Sequence, residues 1–163
     1  MASCLYLLAT PIGNLEDITL RCLRILREVD MIAAEDTRQT AKLLNHYEIK
    51  KPMISYHEHN KKSKGDEIID LILEGKTVAL VSDAGMPCIS DPGEDLVRLC
   101  VERGIEVIAI PGPSASLTAL SISGLSTSRF VFEGFLPVKG KERSERLQRL
   151  SREERTIILY EAP

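Results

Sequence analysis

The sequence has no long hydrophobic run and no strong excess of either charge. None of its apolar stretches approaches the roughly 20 residues that a membrane-spanning helix needs. The first residues lack a basic segment, so we expect no secretory signal peptide. The net charge of −3 gives no global electrostatic argument for a nucleic-acid partner. With 44% hydrophobic and 28% charged residues, the 163 residues are typical of one soluble domain, or of one domain and part of another.

The chain also lacks the spacings that mark metal sites and disulfide frameworks. Its four cysteines are scattered, with no C-x-x-C pair and no histidine cluster nearby, at Cys4, Cys22, Cys88 and Cys100. We therefore predict free, buried thiols in a reducing, cytoplasmic compartment, and no metal site. Two nucleotide-binding motifs are missing as well, because the first predicted strand is followed by T-P-I-G and no G-x-x-x-x-G-K-[S/T] segment occurs.

Buried strands alternate with helices along most of the chain. Continuous apolar runs predict strands at 5–10, 31–34, 52–56, 77–81 and 106–110. Amphipathic or capped segments predict helices at 18–28, 37–47, 66–74, 92–103 and 113–123. This order is typical of an α/β domain with a mainly parallel sheet flanked by helices.

Cap-type residues predict where two of these helices begin. Asp17 is expected to cap the first helix, which places Leu20 on the buried stripe. Asp91 is expected to cap the fourth helix, with Pro92 at its first position. The polar stretch after the third strand is predicted to be a loop with a basic cluster, formed by Lys61, Lys62 and Lys64.

After Gly124 the pattern changes. Alternating aromatics predict a half-exposed strand at 129–137, followed by a charged helix at 139–155 and a strand at 156–161. Two strands and one helix cannot close a core. We therefore predict a first α/β domain at 1–113 and, at 114–163, a linker helix with the incomplete start of a second, cofactor-binding domain.

The most informative segment is the loop 81–93, which follows the fourth predicted strand. It contains two carboxylates, two prolines and two glycines among small residues. Together with the turns after the first and fifth strands, it is predicted to lie at the carboxyl edge of the sheet, where open α/β sheets bind ligands. Asp83, the first charge after the strand, is expected to face a ligand or to cap the loop's own amides.

The segments 5–30, 33–44, 81–93 and 111–125 resemble the tetrapyrrole methylase superfamily, in its branch that methylates small-subunit ribosomal RNA. SYHEHN, FVFEGFLPVKGKER and YEAP fit the same pattern, so the resemblance covers the whole chain. It implies two α/β domains with S-adenosylmethionine between them, in a homodimer about twice this length per subunit. It also implies 2′-O-methylation of a cytidine ribose in 16S ribosomal RNA of the 30S subunit.

The resemblance implies a cofactor site made by turns of the first domain and by part of the second. It assigns Pro11, Ile12, Asp83, Ala84, Gly85, Met86, Ser114, Ala115, Tyr160 and Glu161. The chain departs from the family pattern at Met86, where threonine is common, and at Cys88, where glycine is common. Because Cys88 should avoid the positive φ that glycine adopts freely, a changed loop or weaker cofactor binding is expected.

Methyl transfer to a ribose calls for a base, because a ribose hydroxyl is a poor nucleophile. The candidate catalytic residues follow the second and third strands and are Glu35, Asp36, His57 and Glu58. The candidate RNA-binding residues are Arg38, His59, Lys61 and Lys62. Arg38 could equally form a salt bridge with Glu35 or Asp36, and solvated loop residues are the alternative for the whole group. The charged helix at 139–155 is either solvated or in contact with an RNA backbone.

Two other functions stay as alternatives. A tetrapyrrole (precorrin-type) methylase would be expected to carry G-x-G-x-G in its first loop, where this chain has T-P-I-G. The second alternative is a non-catalytic RNA-binding fragment. Binding of S-adenosylmethionine, measured by calorimetry, separates that fragment from a methylase.

Overall fold

A five-stranded parallel sheet forms the centre of the first of two units. The computed structural model describes residues 3–161, and the division falls between Ser114 and Ala115. The strands are β1 (Leu5–Leu8), β2 (Met31–Ala34), β3 (Met53–Ser55), β4 (Val78–Val81) and β5 (Val107–Ile110). Their order is β3-β2-β4-β1-β5, with every neighbouring pair parallel. The predicted α/β fold with a mainly parallel sheet is confirmed.

Helices cover both faces of this sheet. They are α1 (Leu20–Glu28), α2 (Thr37–His46), α3 (Lys61–Leu73) and α4 (Glu94–Glu102), with a short 3₁₀ turn at Leu15–Asp17. Residues of α1 and α2 share one buried cluster with Leu8 and Ile32, and residues of α3 and α4 share another with Leu5 and Leu80. Because successive strand residues face opposite sides, the strands must be apolar on both faces, which explains their continuous apolar runs.

The strand register brings four loops to one edge. Val81 pairs in register with Leu8 and with Ala34, and Leu8 pairs with Ile110. The residues after β1, β2, β4 and β5 therefore leave the sheet at nearly the same level. This carboxyl edge is where a ligand site is expected in an open α/β sheet.

The predicted start of α1 is wrong. Thr19, and not Asp17, is the N-cap, and its Oγ1 accepts a hydrogen bond from the Cys22 backbone N–H at 3.0 Å. Asp17 instead ends the 3₁₀ turn. Leu20 is 86% exposed, because this start turns it towards solvent and Cys22 takes its place on the buried stripe.

The predicted starts of α3 and α4 are also wrong. α3 begins at Lys61, because Asn60 orders the preceding turn by accepting from His57 N at 2.8 Å and donating to Ser55 O at 3.0 Å. Gly93, and not Asp91, is the N-cap of α4. The lysines predicted in a loop therefore lie in the first turn of a helix, at Lys61, Lys62 and Lys64.

The second unit contains α5 (Ala115–Ile122), β6 (Phe130–Phe135), α6 (Lys141–Leu150) and β7 (Thr156–Tyr160). β6 and β7 pair in parallel, with an irregular register between Phe132 and Gly134. α6 ends five residues before its predicted end, because the Glu153 carboxylate accepts from the backbone N–H and the side chain of Arg155 and closes a turn there. Within residues 3–161, no helix is long and apolar enough to span a membrane.

Gly93 is required where the chain enters α4. Its φ is +139°, and a Cβ at this position would lie 2.6 Å from Cys88 Sγ and 2.8 Å from Leu80 Cδ2. We predict that Gly93→Ala lowers the free energy of unfolding by about 2–4 kcal/mol, through backbone strain and overpacking. Gly104→Ala is the matched control, because Gly104 also has a positive φ but has no atom within 4 Å of its Cβ position. Denaturant unfolding followed by circular dichroism checks both, and equal losses would contradict the packing argument.

Candidate functional site

Backbone hydrogen bonds join the loops that follow β1 and β4. Thr10 N donates to Gly85 O at 2.9 Å, and Gly85 N donates to Thr10 O at 3.0 Å. Thr10 Oγ1 also donates to Ser82 O at 3.2 Å. Gly85 has a φ of +82°, and a Cβ there would lie 3.4 Å from Ile12 Cγ2 and 3.7 Å from Pro113 O. The loops after β1, β4 and β5 therefore meet at one place on the carboxyl edge.

Asp83 connects the end of β2 to the same place. Its Oδ1 accepts a hydrogen bond from Asp36 N at 3.2 Å. Asp83 therefore holds the β2–α2 loop against the β4–α4 loop. Through this bond Asp83 caps a backbone amide, as expected of an Asx side chain, although the amide belongs to a different loop.

The two carboxylates that follow β2 are in different electrostatic states. Burial raises the pKa of Glu35, and the nearby carboxylates of Asp91 and Asp83 raise it further. Arg38 lowers the pKa of Asp36 to about 2, because its Nε and Nη2 donate to the two carboxylate oxygens at 3.0 and 2.7 Å. Asp36 is thus held as an anion, whereas Glu35 takes up a proton at a higher pH than an ordinary glutamate does.

The candidate catalytic and RNA-binding residues that follow β3 lie in a turn and at the start of α3. The Nδ1 atom of His57 is buried and has no hydrogen-bond partner within the described chain, and its ring lies 6.0 Å from that of His59. Lys61 pairs with Glu58 at 2.6 Å and with Asp95 at 2.8 Å, and both carboxylates raise the pKa of Lys61. Lys62 is exposed and forms no ion pair with any described residue.

The residues assigned to the cofactor fall into three groups. Those at the carboxyl edge of the first unit are Pro11, Ile12, Asp83, Ala84 and Gly85, and Ser114 is the last residue of that unit. Met86 packs against the core on the α3 and α4 side. Ala115, Tyr160 and Glu161 belong to the second unit, where the Tyr160 ring lies 5.1 Å from Phe132 and Glu161 pairs with Arg143 at 3.2 Å. All ten assignments stay predictions.

Cys88 adopts a φ of +73°, which contradicts the prediction that it avoids this region. The left-handed conformation costs about 1–2 kcal/mol for a residue with a Cβ. The Cys88 side chain packs against the core and against Gly93, and burial raises the pKa of its thiol to about 11. Burial of this side chain offsets the strain, so the loop keeps a conformation that is usual for glycine.

A cavity of about 460 Å³ opens between the β1 loop and α2. It is lined by Thr10, Pro11, Ile12, Gly13, Leu15, Gln39, Thr40, Lys42, Leu43, Ser82, Asp83 and Ala84. Its volume is in the range of small-molecule sites. The α2 wall of this cavity was not predicted from the sequence. The available signal was the pair of polar residues Gln39 and Lys42, three positions apart on the helix that leaves the carboxyl edge. Within residues 3–161, no group of three or more His, Cys, Asp or Glu side chains could hold a metal ion.

These features define an open α/β domain in which loops and a cavity lie at the carboxyl edge of a parallel sheet, where such sheets bind ligands. The chain belongs to the Tetrapyrrole (Corrin/Porphyrin) Methylases, because the sequence model of that family matches residues 4–163. The family predicted from the sequence is therefore confirmed.

Relatives with high identity match nearly the whole chain. It is 57% identical over 159 residues to "Ribosomal RNA small subunit methyltransferase I" of Halalkalibacterium halodurans, a match that covers 98% of this chain and 55% of the relative. The protein of the same name from Bacillus subtilis is 54% identical, with 98% of this chain and 54% of the relative covered. The chain thus spans little more than half the length of these relatives.

Solved structures share the fold. Diphthine synthase matches with a TM-score of 0.75 at 16% identity, covering 99% of this chain and 66% of that chain. Uroporphyrin-III-C-methyltransferase from Thermus thermophilus matches with a TM-score of 0.61 at 21% identity, and the match covers 84% of this chain and 63% of that chain. At these identities, the likeness supports the fold alone.

Glu35 is expected to make stability depend on pH. Because its pKa is raised above the ordinary 4.5, the folded protein binds this proton more tightly than the unfolded chain does. The free energy of unfolding therefore falls as pH rises from about 4.5 through the raised pKa. We predict that Glu35→Gln reduces this fall without abolishing it, because the raised pKa of Asp91 acts in the same direction.

Urea unfolding at a series of pH values between 4 and 8, roughly the window of a raised carboxyl pKa, measures this dependence. The matched control is Glu74→Gln, which removes an exposed carboxyl at the end of α3, on the opposite edge of the sheet. It is expected to keep the wild-type slope. A wild-type slope in Glu35→Gln would show that Glu35 does not titrate in the proposed way.

Proposed function

We propose that the protein containing this chain methylates the 2′-hydroxyl of a cytidine in small-subunit ribosomal RNA, with S-adenosylmethionine as methyl donor. The observation that carries the proposal is identity of 51–58% across nearly the whole chain to relatives named "Ribosomal RNA small subunit methyltransferase I". Its substrate is then the RNA of the 30S subunit. We expect it to act as a homodimer, as the superfamily resemblance implies.

The residues at the carboxyl edge fit this cofactor. Ala84 is small and exposed, so a ligand can approach the backbone of the loop closely at this residue, next to the buried Gly85 that bonds to Thr10. Pro11 and Ile12 provide an apolar surface, and the Asp83 carboxylate can accept from a hydroxyl or ammonium group. S-Adenosylmethionine, when bound, supplies a methyl group activated by its sulfonium charge. These residues bind and orient, and such positioning lowers the barrier of a displacement reaction.

Glu35 is the general base that the electrostatics favour among the four candidates. Asp36 is engaged by Arg38, and Glu58 is engaged by Lys61. Glu35 forms no ion pair with any described residue, and burial raises its pKa. A carboxylate with a raised pKa accepts a proton more readily, so Glu35 would take the proton that the ribose 2′-hydroxyl loses. His57 stays the second candidate, because its buried Nδ1 has no partner within the described chain.

Transfer of radiolabelled methyl groups from S-adenosylmethionine to 30S subunits, with the full gene product, tests the proposal. We expect one 2′-O-methylcytidine per subunit. Glu35→Gln should lower kcat by about 10²–10⁴-fold, the usual contribution of a general base, with the affinity for S-adenosylmethionine retained.

The control variant for this assay is Glu28→Gln, which removes an exposed carboxylate that pairs with Arg24 at the far end of α1. It should transfer methyl groups at the wild-type rate. The absence of transfer by the wild type, or transfer to a base instead of a ribose, would contradict the proposed function. Unchanged kcat in Glu35→Gln would leave the function in place and remove Glu35 as the base.

A further inference from the structure

We infer that the cavity between the β1 loop and α2 binds a nucleotide of the substrate RNA, with Lys42 contacting its phosphate. We call this cavity, with the lining residues given above, the α2 cavity. The inference rests on the proposed function, since it names where the RNA substrate of that enzyme is held. It adds a binding role for α2, a helix in which only Arg38 was predicted to bind RNA.

The α2 cavity is fixed at both ends by hydrogen bonds. At its outer end, the Tyr47 hydroxyl after α2 donates to Leu15 O in the 3₁₀ turn at 2.6 Å. At its inner end, Asp36 N donates to Asp83 Oδ1, and the paired bonds between Thr10 and Gly85 hold the β1 loop. The two walls are therefore held apart at a set distance. A preformed cavity binds its ligand with little further ordering of the protein.

One wall of the cavity is apolar and the opposite wall is polar. Pro11, Ile12 and Leu15 form the apolar wall, and Leu15 is 39% exposed although it is a large hydrophobic residue. Gln39 and Lys42 project from α2 on the polar side. A nucleotide combines an apolar base face with a charged phosphate, so its two parts match these two walls.

Lys42 lines the cavity and has no carboxylate partner within residues 3–161, a property that it shares with Lys62 on α3, which does not line the cavity. Arg38 pairs with Asp36, Lys61 pairs with Glu58 and Asp95, and Lys64 pairs with Glu67. Lys42 only donates one hydrogen bond, from Nζ to Gln39 Oε1 at 2.8 Å. An ammonium group has three donors, so Lys42 keeps donors and a full charge for a phosphate. The amide of Gln39 holds this ammonium group beside the cavity.

The cavity also lies next to the predicted cofactor residues. Pro11, Ile12, Asp83 and Ala84 are both cavity-lining residues and predicted cofactor contacts. With the cofactor on these four residues, a nucleotide held farther out, between Leu15 and Lys42, would lie directly beside the methyl donor. Close placement of the two reactants is the main requirement of a displacement reaction.

Binding of 30S subunits by the full gene product tests this inference without any turnover. Filter retention is measured at several salt concentrations for the wild type, Lys42→Ala, Lys42→Arg and Lys50→Ala. Lys50 is the matched control, since it is an exposed lysine that precedes β3 at the opposite edge of the sheet. Binding of S-adenosylmethionine by each variant is measured separately by calorimetry.

We expect Lys42→Ala to weaken 30S binding about tenfold, as for the loss of one charged hydrogen bond. The slope of its log binding constant against log salt concentration should become shallower by the amount that about one phosphate contact contributes. Lys42→Arg and Lys50→Ala should bind nearly as the wild type does. The affinity for S-adenosylmethionine should be unchanged in all variants.

Three results would overturn the inference. The first is wild-type binding of 30S subunits by Lys42→Ala, and the second is no binding by the wild type itself. The third is a loss of S-adenosylmethionine affinity in Lys42→Ala with RNA binding unchanged, which would mean that the cavity holds the cofactor. Lys42-dependent binding without methyl transfer would count against the proposed reaction and leave the binding site in place.

Discussion

The pair of hydrogen bonds between Thr10 and Gly85 is the constraint on which the carboxyl edge of the first unit depends. β1 and β4 are neighbours in register, but their loops run on to different helices and would separate without a further link. The two backbone bonds keep the loops side by side past the end of the sheet. Asp83, two residues before Gly85, then reaches the amide of Asp36 and adds the loop after β2. One local bridge thus brings together three segments that are far apart in sequence.

The bridge has a conformational cost within the loop 81–93. After Gly85 the chain must turn back towards α4, and it does so with Cys88 and Ser90 at φ values of 73° and 61°. Each such residue costs about 1–2 kcal/mol relative to an ordinary conformation. Packing of the Cys88 side chain against the core, in the space that Gly93 leaves open, offsets part of this cost. The loop is therefore held by tertiary contacts, and no local preference of its residues accounts for its shape.

The difference between local preferences and tertiary contacts explains what could be predicted from the sequence. The strands were predictable because each is buried on both faces, as the apolar run at Leu5–Leu8 illustrates. The cap of α1 was not, because Asp17 and Thr19 are both good capping residues. Asp17 is taken up by the 3₁₀ turn that Asn14 begins by accepting from Glu16 N, and this leaves Thr19 as the cap. The meeting of the loops at the carboxyl edge was predictable, because parallel strands all end at the same edge of the sheet. The α2 wall of the cavity was not, because it depends on the hydrogen bond between the Tyr47 hydroxyl and Leu15, which no motif signals.

The charges at this edge favour binding of one ligand of the proposed reaction and disfavour binding of the other. The Asp83 carboxylate lies close enough to raise the pKa values of Glu35 and Asp91, and the negative field of these carboxylates attracts a sulfonium cation. The same field repels an RNA backbone, and salt screens it only beyond about 10 Å. Arg38 does little to relieve the repulsion because its charge is already shared with Asp36. A polyanion can therefore approach this edge only where an unpaired cation compensates, and Lys42 meets that requirement on the wall opposite the apolar residues.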